Sequence, residues 1–479
     1  MRKAILLIIS VLCVEFCMAQ SINIEENMQV APLTDARNGS LTLGDIDNDG
    51  DPDLLVLGQD AGSLNTILYE NDGNGNFTEI TGTSFTGLQF GNSDFADVDN
   101  DGDLDLLYTG SNFSPEYFAL LYLNDGNGNF ILESNTPFQG SAGGEFVFED
   151  IEDDGDLDLL MTGTKLDNLN NPEGFVALYV NDGSGTFTEV GVTPFEQVSS
   201  SSIAFIDVDN DNDNDVIIAG EDANDLAVTN LYTNDGMGNF SLAANTSIEG
   251  ISTGDIAVAD SDNDGDLDVH ICGQVAGGDR ISHLYLNDGT GEFSLVSGTP
   301  FPATFVGTSD FADFDADGDF DLLVTGAVGG AEFTSNIYEN QGSNNFVLVD
   351  SLVDVYLTST AIADIDGDNN LDVVISGISN DINSFGPRVY LNETITSLET
   401  IEVDESILIF PNPTTGVFQI NRDASTSFSI RVFNSIGQLV YEDNAMDQNS
   451  QVKLNQPSGI YLITIESKNM LTSRKLILK

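Results

Sequence analysis

The chain has 479 residues, of which 79 are acidic and 13 basic, for a formal net charge of -66. That balance excludes nucleic acid and anionic membrane surfaces as partners, since both would be repelled. Hydrophobic residues still make up 41% of the chain, so the composition is globular rather than disordered, and the length suits two or three domains.

Residues 1–19 read as a secretory signal peptide. Arg2 and Lys3 give the charged start, Ala4 to Val14 the apolar run, and Cys17-Met18-Ala19 a small residue ahead of Gln20. The run is too short for a mature transmembrane helix, and no later stretch is long enough. Phe16 stands where a lipidated Cys17 would need a small residue, so a lipoprotein is not expected. Removal of the peptide takes Cys13 and Cys17 with it and leaves Cys272 alone, so no intrachain disulfide is available to staple the mature chain.

From residue 20 to about 400 the chain repeats. An acidic loop starts at Asp45, Asp97, Asp150, Asp207, Asp260, Asp313 and Asp364, at intervals of 51 to 57 residues. The second copy, Asp97-Val98-Asp99-Asn100-Asp101-Gly102-Asp103-Leu104-Asp105, has carboxylates at positions 1, 3, 5 and 9 around a glycine at position 6. Alternate side chains of such a loop can turn onto one hard cation that takes six to eight oxygens at about 2.3–2.6 Å. Without a cation the same carboxylates repel one another. The expected ligands are Asp45, Asp47, Asp49 and Asp53; Asp97, Asp99, Asp101 and Asp105; Asp150, Glu152, Asp154 and Asp158; Asp207, Asp209, Asp211 and Asp215; Asp260, Asp262, Asp264 and Asp268; Asp313, Asp315, Asp317 and Asp321; and Asp364, Asp366, Asp368 and Asp372. Calcium is the expected ion, up to seven per chain. Asn212 and Asn369 replace the glycine in the fourth and seventh loops, which should therefore bind most weakly.

Each repeat reads as four strands. An apolar residue stands two before each first aspartate, as at Phe95 and Phe148. After the loop comes an apolar run such as Leu54-Leu55-Val56-Leu57-Gly58, the pattern of a strand covered on both faces. The third strand ends in Tyr and Asn, as in Leu121-Tyr122-Leu123-Asn124, then Asp125-Gly126-Asn127-Gly128 makes a hairpin turn and Phe130 opens a fourth strand. Repeat seven stops after Tyr390-Leu391-Asn392, whereas Ile22 to Val30 is a strand-like stretch with no repeat of its own. The N-terminal strand should complete the last repeat and close a seven-bladed β-propeller without a free edge.

These motifs resemble the FG-GAP/VCBS repeat family, the propeller type also found in integrin α-subunit heads. The resemblance covers residues 22 to 400 and rests on D-x-D-x-D-G-x-x-D, the Phe-x-Asp entering strand and Leu-Tyr-x-Asn-Asp-Gly. It implies calcium in the loop between the first two strands of each blade, on the face opposite the usual ligand face. EF-hands and dockerins fit less well, since they need a carboxylate at position 12 and flanking helices.

After residue 400 the composition shifts, and seven of the thirteen basic residues, Arg422, Arg431, Lys453 and Lys479 among them, lie in the tail. Phe410-Pro411-Asn412-Pro413-Thr414-Thr415-Gly416, Asn434-Ser435-Ile436-Gly437 and Pro457-Ser458-Gly459-Ile460-Tyr461 punctuate short alternating strands, which suggests a small Ig-like β-sandwich over 401–479. Their order resembles the type A C-terminal sorting domain of the bacterial type IX secretion system. That implies a Gram-negative host, export through the periplasm, and release or attachment at the outer cell surface, with the secretion machinery as partner.

No catalytic constellation is expected. His270 stands where other repeats carry Leu, Ile or Val and reads as a buried packing residue. Cys272 lies two residues on without a partner acid, and His283 reads as a loop-edge residue ahead of a third strand. The second-to-third connections (Ser111 to Phe118, Lys165 to Phe175, Gln274 to Arg280, Ser379 to Arg388) vary most and hold Lys165, Arg280, Arg388, Phe113, Tyr117, Phe175 and Phe385. Variable loops on a rigid scaffold commonly carry binding sites. The expected function is therefore a non-catalytic module for glycans or surface proteins. The alternatives are a polysaccharide-active enzyme and a structural component of a surface layer.

Overall fold

The computed structural model describes residues 22–27, 33–60, 62–114, 116–244, 246–330, 332–379, 386–392, 408–421, 428–433, 439–446, 449–457, 459–467 and 470–479. Residues 1–19, expected as a signal peptide, and Met28 to Val30, Phe385, Arg422 and residues 434–437 lie outside them. Among the described residues every helix or strand element is a strand. The chain divides into two compact units, Met1–Thr394 and Ile395–Lys479.

In the first unit each repeat folds as an antiparallel meander. Repeat two is representative, with strands Ser93–Ala96, Asp105–Ser111, Tyr117–Asn124 and Phe130–Leu132 paired in chain order. The aspartate loop joins the first strand to the second. Repeats four and five are continuous through a bridge between Val228 and Ile251. The second strands are the most buried: Leu54 to Leu57 have no exposed surface. They serve two interfaces at once. Leu55 and Leu57 pack toward Phe95, Leu106 and Tyr108 of repeat two, whereas Leu54 and Val56 pack toward Val374 and Val389 of repeat seven. Phe85, Phe138, Phe195 and Phe301 meet Tyr122, Tyr179, Tyr232 and Tyr338 edge-on at 5.0, 5.1, 5.0 and 5.2 Å. These in-register phenylalanines are packing residues.

The ends meet as expected. Ile24–Glu26 pairs antiparallel with Arg388–Asn392 and supplies the fourth strand of the last repeat. Arg388 closes the seam with two 2.7 Å hydrogen bonds to the Glu26 carboxylate.

A second ring of contacts runs through the asparagine that ends each third strand. Its Nδ2 donates to the position-2 carbonyl of the preceding repeat's loop: Asn124 to Ile46, Asn181 to Val98, Asn234 to Ile151, Asn287 to Val208, Asn340 to Ser261 and Asn392 to Phe314, at 2.7–2.9 Å. Asn71 completes the circuit by donating to Ile365 of repeat seven at 2.9 Å.

The innermost strands carry a third device. Seven residues before each loop the backbone is left-handed, at Asn38, Phe90, Gly143, Ser200, Thr253, Val306 and Leu357, with φ between 47° and 64°. For Val306 and Leu357 this is a costly conformation. It is offset by hydrogen bonds from one repeat to the next: Phe90 N–H to Asn38 O, Gly143 to Phe90, Val306 to Thr253 and Leu357 to Val306.

The second unit has two sheets. One orders Leu408–Phe410, Val417–Asn421 and Asn449–Lys453; the other orders Leu439–Met446, Phe428–Phe433, Gly459–Ser467 and Met470–Leu478. Strict alternation puts Phe418, Ile420, Ile430, Val432, Ile463, Ile465, Leu476 and Leu478 in one core.

Replacing Asn340 by Ala removes the bond to Ser261 O and strands a buried carbonyl. It should cost about 1–3 kcal/mol in denaturant unfolding, whereas Asn127→Ala, on an exposed turn, should be near neutral. Equal effects would contradict the inter-repeat role.

Candidate metal centres

The seven loops share one wiring. At position 1 the carboxylate caps the loop's own backbone: Asp97 Oδ1 accepts the Asp101 N–H at 3.1 Å and Oδ2 the Gly102 N–H at 3.0 Å. Position 5 accepts from position 7, as Asp103 N–H to Asp101 Oδ1 at 3.0 Å. Each carboxylate oxygen keeps a second lone pair for another donor or a cation. Position 6 needs a left-handed backbone, met by Gly102 at φ 94° and by Asn212 and Asn369 at 70° and 69°. The two asparagines therefore keep the turn.

Position 9 is buried beneath the loop. Asp105 Oδ2 accepts the Val98 N–H at 3.1 Å and Oδ1 the Asn124 N–H at 2.8 Å. All seven position-9 aspartates repeat this pair of bonds. Burial pushes Asp53, Asp105 and Asp372 up to about 7, Asp158 and Asp321 to about 8, and Asp215 and Asp268 to about 6. The backbone donors pull the other way and do not compensate. These residues, expected as ligands, also pin the loop to the end of the third strand.

Position 3 supplies the test of fit. One carboxylate oxygen of Asp47, Asp99, Glu152, Asp262 and Asp315 is buried without a hydrogen-bond partner. Asp209, in the fourth loop, is exposed. Burial first, and then the neighbouring carboxylates, push Asp47 and Asp99 upward, and Asp315 to about 6. A buried carboxylate oxygen without a donor is costly unless a cation satisfies it.

Oxygens converge accordingly. In repeats one, five and six the carboxylates at positions 1, 3 and 9 offer atoms within 4.8 Å of one another (Asp45, Asp47 and Asp53 in the first). In repeats two and four, positions 1, 3 and 5 do so. The donor set is oxygen only, which suits a hard divalent ion.

Sequence reading missed positions 4 and 7. Position 4 is left-handed, and its asparagine reaches the next loop: Asn48 to Asp103 at 2.8 Å, Asn100 to Asp156 at 2.7 Å, Asn210 to Asp266 at 2.7 Å, and Asn263 to Asp319. Four of the seven loops are thus hydrogen-bonded to the next, whereas Ala316 and Gly367 stand at position 4 of the sixth and seventh. Between repeats three and four Asp153 stands in the asparagine's place, and its charge adds to those that raise Asp213. The hairpin glycine also abuts position 7: a Cβ on Gly126 would lie 2.4 Å from the Asp103 carboxylate.

Other candidates take structural places. His270 is fully buried, bonds Ser282 Oγ through Nε2 at 2.9 Å, packs edge-on to Phe301, and is pushed down to about 3 by burial. Cys272 is buried, and its thiol is raised to about 12. His283 is not at a loop edge: it lies inside the strand Arg280–Asn287, because the preceding hairpin pairs as far as Gln274 with Arg280, and its Nδ1 faces Glu249 Oε2 at 3.7 Å. The basic residues assigned to variable loops are engaged within the fold. Lys165 pairs with Glu173 at 3.5 Å, Arg280 covers the Phe305 ring at 4.3 Å and donates to Val328 O, and Arg388 holds Glu26. Phe175 is buried, and Phe113 is exposed.

Fold and loops together define an all-β, propeller-like repeat protein. It carries FG-GAP-like repeats, matched over residues 45–108, 150–218 and 207–271, and ends in a secretion system C-terminal sorting domain over 408–479. That tail marks the chain as cargo of the type IX secretion system. No curated protein matches the chain. Among solved structures it is similar to PorZ, a bacterial surface component of the type IX secretion system of Porphyromonas gingivalis, at 13% identity and a TM-score of 0.44, covering 94% of this chain and 60% of PorZ. The chain thus spans less than two thirds of that protein. A fungal alcohol oxidase aligns at 11% identity and a TM-score of 0.47, over 96% of this chain and all of the oxidase. The lectin of Aleuria aurantia aligns at 11% identity and a TM-score of 0.39, over 67% of this chain and 97% of the lectin.

The raised carboxylates set a pH dependence. Position-9 aspartates titrate near 6 to 8 in the cation-free fold against 3.8 ordinarily, so the folded state binds more protons than the unfolded chain across that window. Stability is then fully present below the ordinary value of 3.8 and is lost progressively as pH rises to the folded values of about 6 to 8. A cation favours the ionised form and reverses the trend. Melting temperature in chelator should fall from pH 5 to 8, and excess divalent cation should abolish the fall. A flat profile in chelator would contradict the assignment.

Proposed function

We propose that this protein is an exported, non-catalytic binding module: a seven-bladed propeller whose loops hold calcium and whose opposite face meets a glycan or a surface protein. The observation that carries the calcium part is the buried, donorless position-3 oxygen in five of the seven loops. Asp45, Asp47, Asp49 and Asp53, and their counterparts in each repeat, would hold the ion, which neutralises carboxylates that the fold forces together. Extracellular calcium suits such sites, whose affinities in secreted modules run to about 10⁻⁴–10⁻³ M.

The binding part is supported by a division of labour along the innermost strands. Their far ends carry the acidic loops, and their near ends open on the face of the second-to-third connections. Engagement of Lys165, Arg280 and Arg388 within the fold leaves that face poor in free positive charge. A neutral or cationic ligand therefore suits it better than an anionic one. Burial of His270 and Cys272 leaves neither the chain's strongest nucleophile nor a proton carrier exposed on that face.

Two experiments test the reading. Residues 20–479 applied to a glycan array should bind in calcium and lose binding in chelator. A blank array from a folded, calcium-loaded chain would redirect the reading to a protein partner. Deleting residues 408–479 should retain the protein in the periplasm, as followed by fractionation. Unchanged surface delivery would remove the export role from the tail.

A further inference from the structure

On the face away from the aspartate loops, a cavity of about 320 Å³ opens along the axis of the first unit, lined by one three-residue segment from each repeat. Hydroxyls and amides line its rim. Deeper, the lining becomes acidic, with Glu145, Asp255 and Asp310 contributed by three different repeats. No lysine, arginine or histidine lines either stretch.

The acids have no cationic partner and share few donors. Ser202 Oγ lies 2.9 Å from Glu145 Oε2 and 3.2 Å from Asp255 Oδ1. One hydroxyl proton cannot fully serve both. The remaining donors are few: Ile203 N–H to Glu145 at 2.8 Å, Ser309 N–H at 2.7 Å and the Ile256 N–H to Asp255, and Thr360 Oγ1 to Asp310 at 2.6 Å. Burial, reinforced by mutual repulsion, raises Glu145 to about 7 and Asp255 well above its usual range; burial raises Asp310 as well. Asp94 adds its charge to Glu145, and Asp255 in turn acts on the Cys272 thiol.

A separate feature points the same way. Ser309 lines this cavity, is 3% exposed, and its Oγ has no hydrogen-bond partner; the Cys272 thiol beside it is at best a weak one. At the matching place in repeat two, Ser93 Oγ reaches Ser40 Oγ at 2.7 Å, and Ser40 occupies the ring position of Asp255. The axial site therefore lacks positive charge and keeps a buried hydroxyl without a strong partner of its own.

We propose that the axial cavity binds a small hydroxylated primary ammonium compound of the size of an amino monosaccharide, with its ammonium group among Glu145, Asp255 and Asp310. The geometry favours ammonium over a bare ion. This chain gathers oxygens for an ion within 4.8 Å in its loops, whereas here a serine hydroxyl stands between two of the carboxyls. Three N–H donors can answer three separated acceptors, and the polar rim can take the sugar hydroxyls. The site lies apart from the aspartate loops and the variable connections, so it does not rest on the reading above.

The test is calorimetric titration of the folded, calcium-loaded chain with D-glucosamine and, in parallel, D-glucose. Glucosamine should bind one to one and glucose at least about tenfold more weakly, with E145Q and D255N each lowering glucosamine affinity about tenfold at unchanged or raised melting temperature. Equal binding of the two sugars, no glucosamine binding, or wild-type affinity in folded E145Q would overturn the proposal. So would an extra calcium ion per chain that is lost in D255N, since the cavity would then take a bare ion. A blank glycan array beside positive glucosamine titration would count against the glycan reading alone.

Discussion

The fold depends on a buried aspartate that accepts from two backbones at once. At position 9 of each loop, one oxygen holds the loop's second residue and the other holds the asparagine ending the third strand. That asparagine in turn reaches the loop of the preceding repeat. A local turn, a strand end and a neighbouring repeat are therefore joined through one carboxylate and one amide. Cutting any member leaves buried polar groups without partners, which costs more than the bond itself contributes. The arrangement also explains why the acidic loops can be crowded: their backbones are held by hydrogen bonds that do not need the carboxylates to be neutral.

Crowding nonetheless has a direction. The position-9 carboxylates are desolvated and five of the position-3 carboxylates keep a buried oxygen without a donor, so the fold opposes their ionisation. A divalent ion would convert that opposition into attraction. Hydrogen bonds from Asn48, Asn100, Asn210 and Asn263 tie four of the seven loops to the next, so the charge state of those loops is felt by a neighbour. Asp153 interrupts this linkage by placing a carboxylate where an amide would donate.

Much of this was legible in the sequence, because it is periodic. The loop spacing, the apolar second strands, the Tyr-x-Asn strand ends and the orphan strand at the N-terminus all recur or fail to recur at a fixed interval. What the sequence hid were relations between repeats. The strand-end asparagines recur seven times, yet their acceptors lie in the preceding loop, far along the chain. Val306 and Leu357 give no sign of a left-handed backbone, since inter-repeat hydrogen bonds override their preference. Lys165, Arg280 and Arg388 looked available only because hairpin length could not be read; the strands run on and give each a partner. Glu145, Asp255 and Asp310 were three acids among 79, and only a closed ring sets them around one axis.

Closure by the strand Ile24–Glu26 has a consequence for the history of the chain. The first strand of the ring and the last, joined by Arg388 and Glu26, are 362 residues apart in sequence. Duplicating or deleting an internal repeat would leave these partners intact but change the angle through which the ring must turn to bring them together. An open array can grow by one unit and remain folded; this one cannot. Repeat number is therefore locked by geometry, and divergence is channelled into substitutions within loops, as the departures at Glu152, Asn212, Asp153 and Asn369 illustrate.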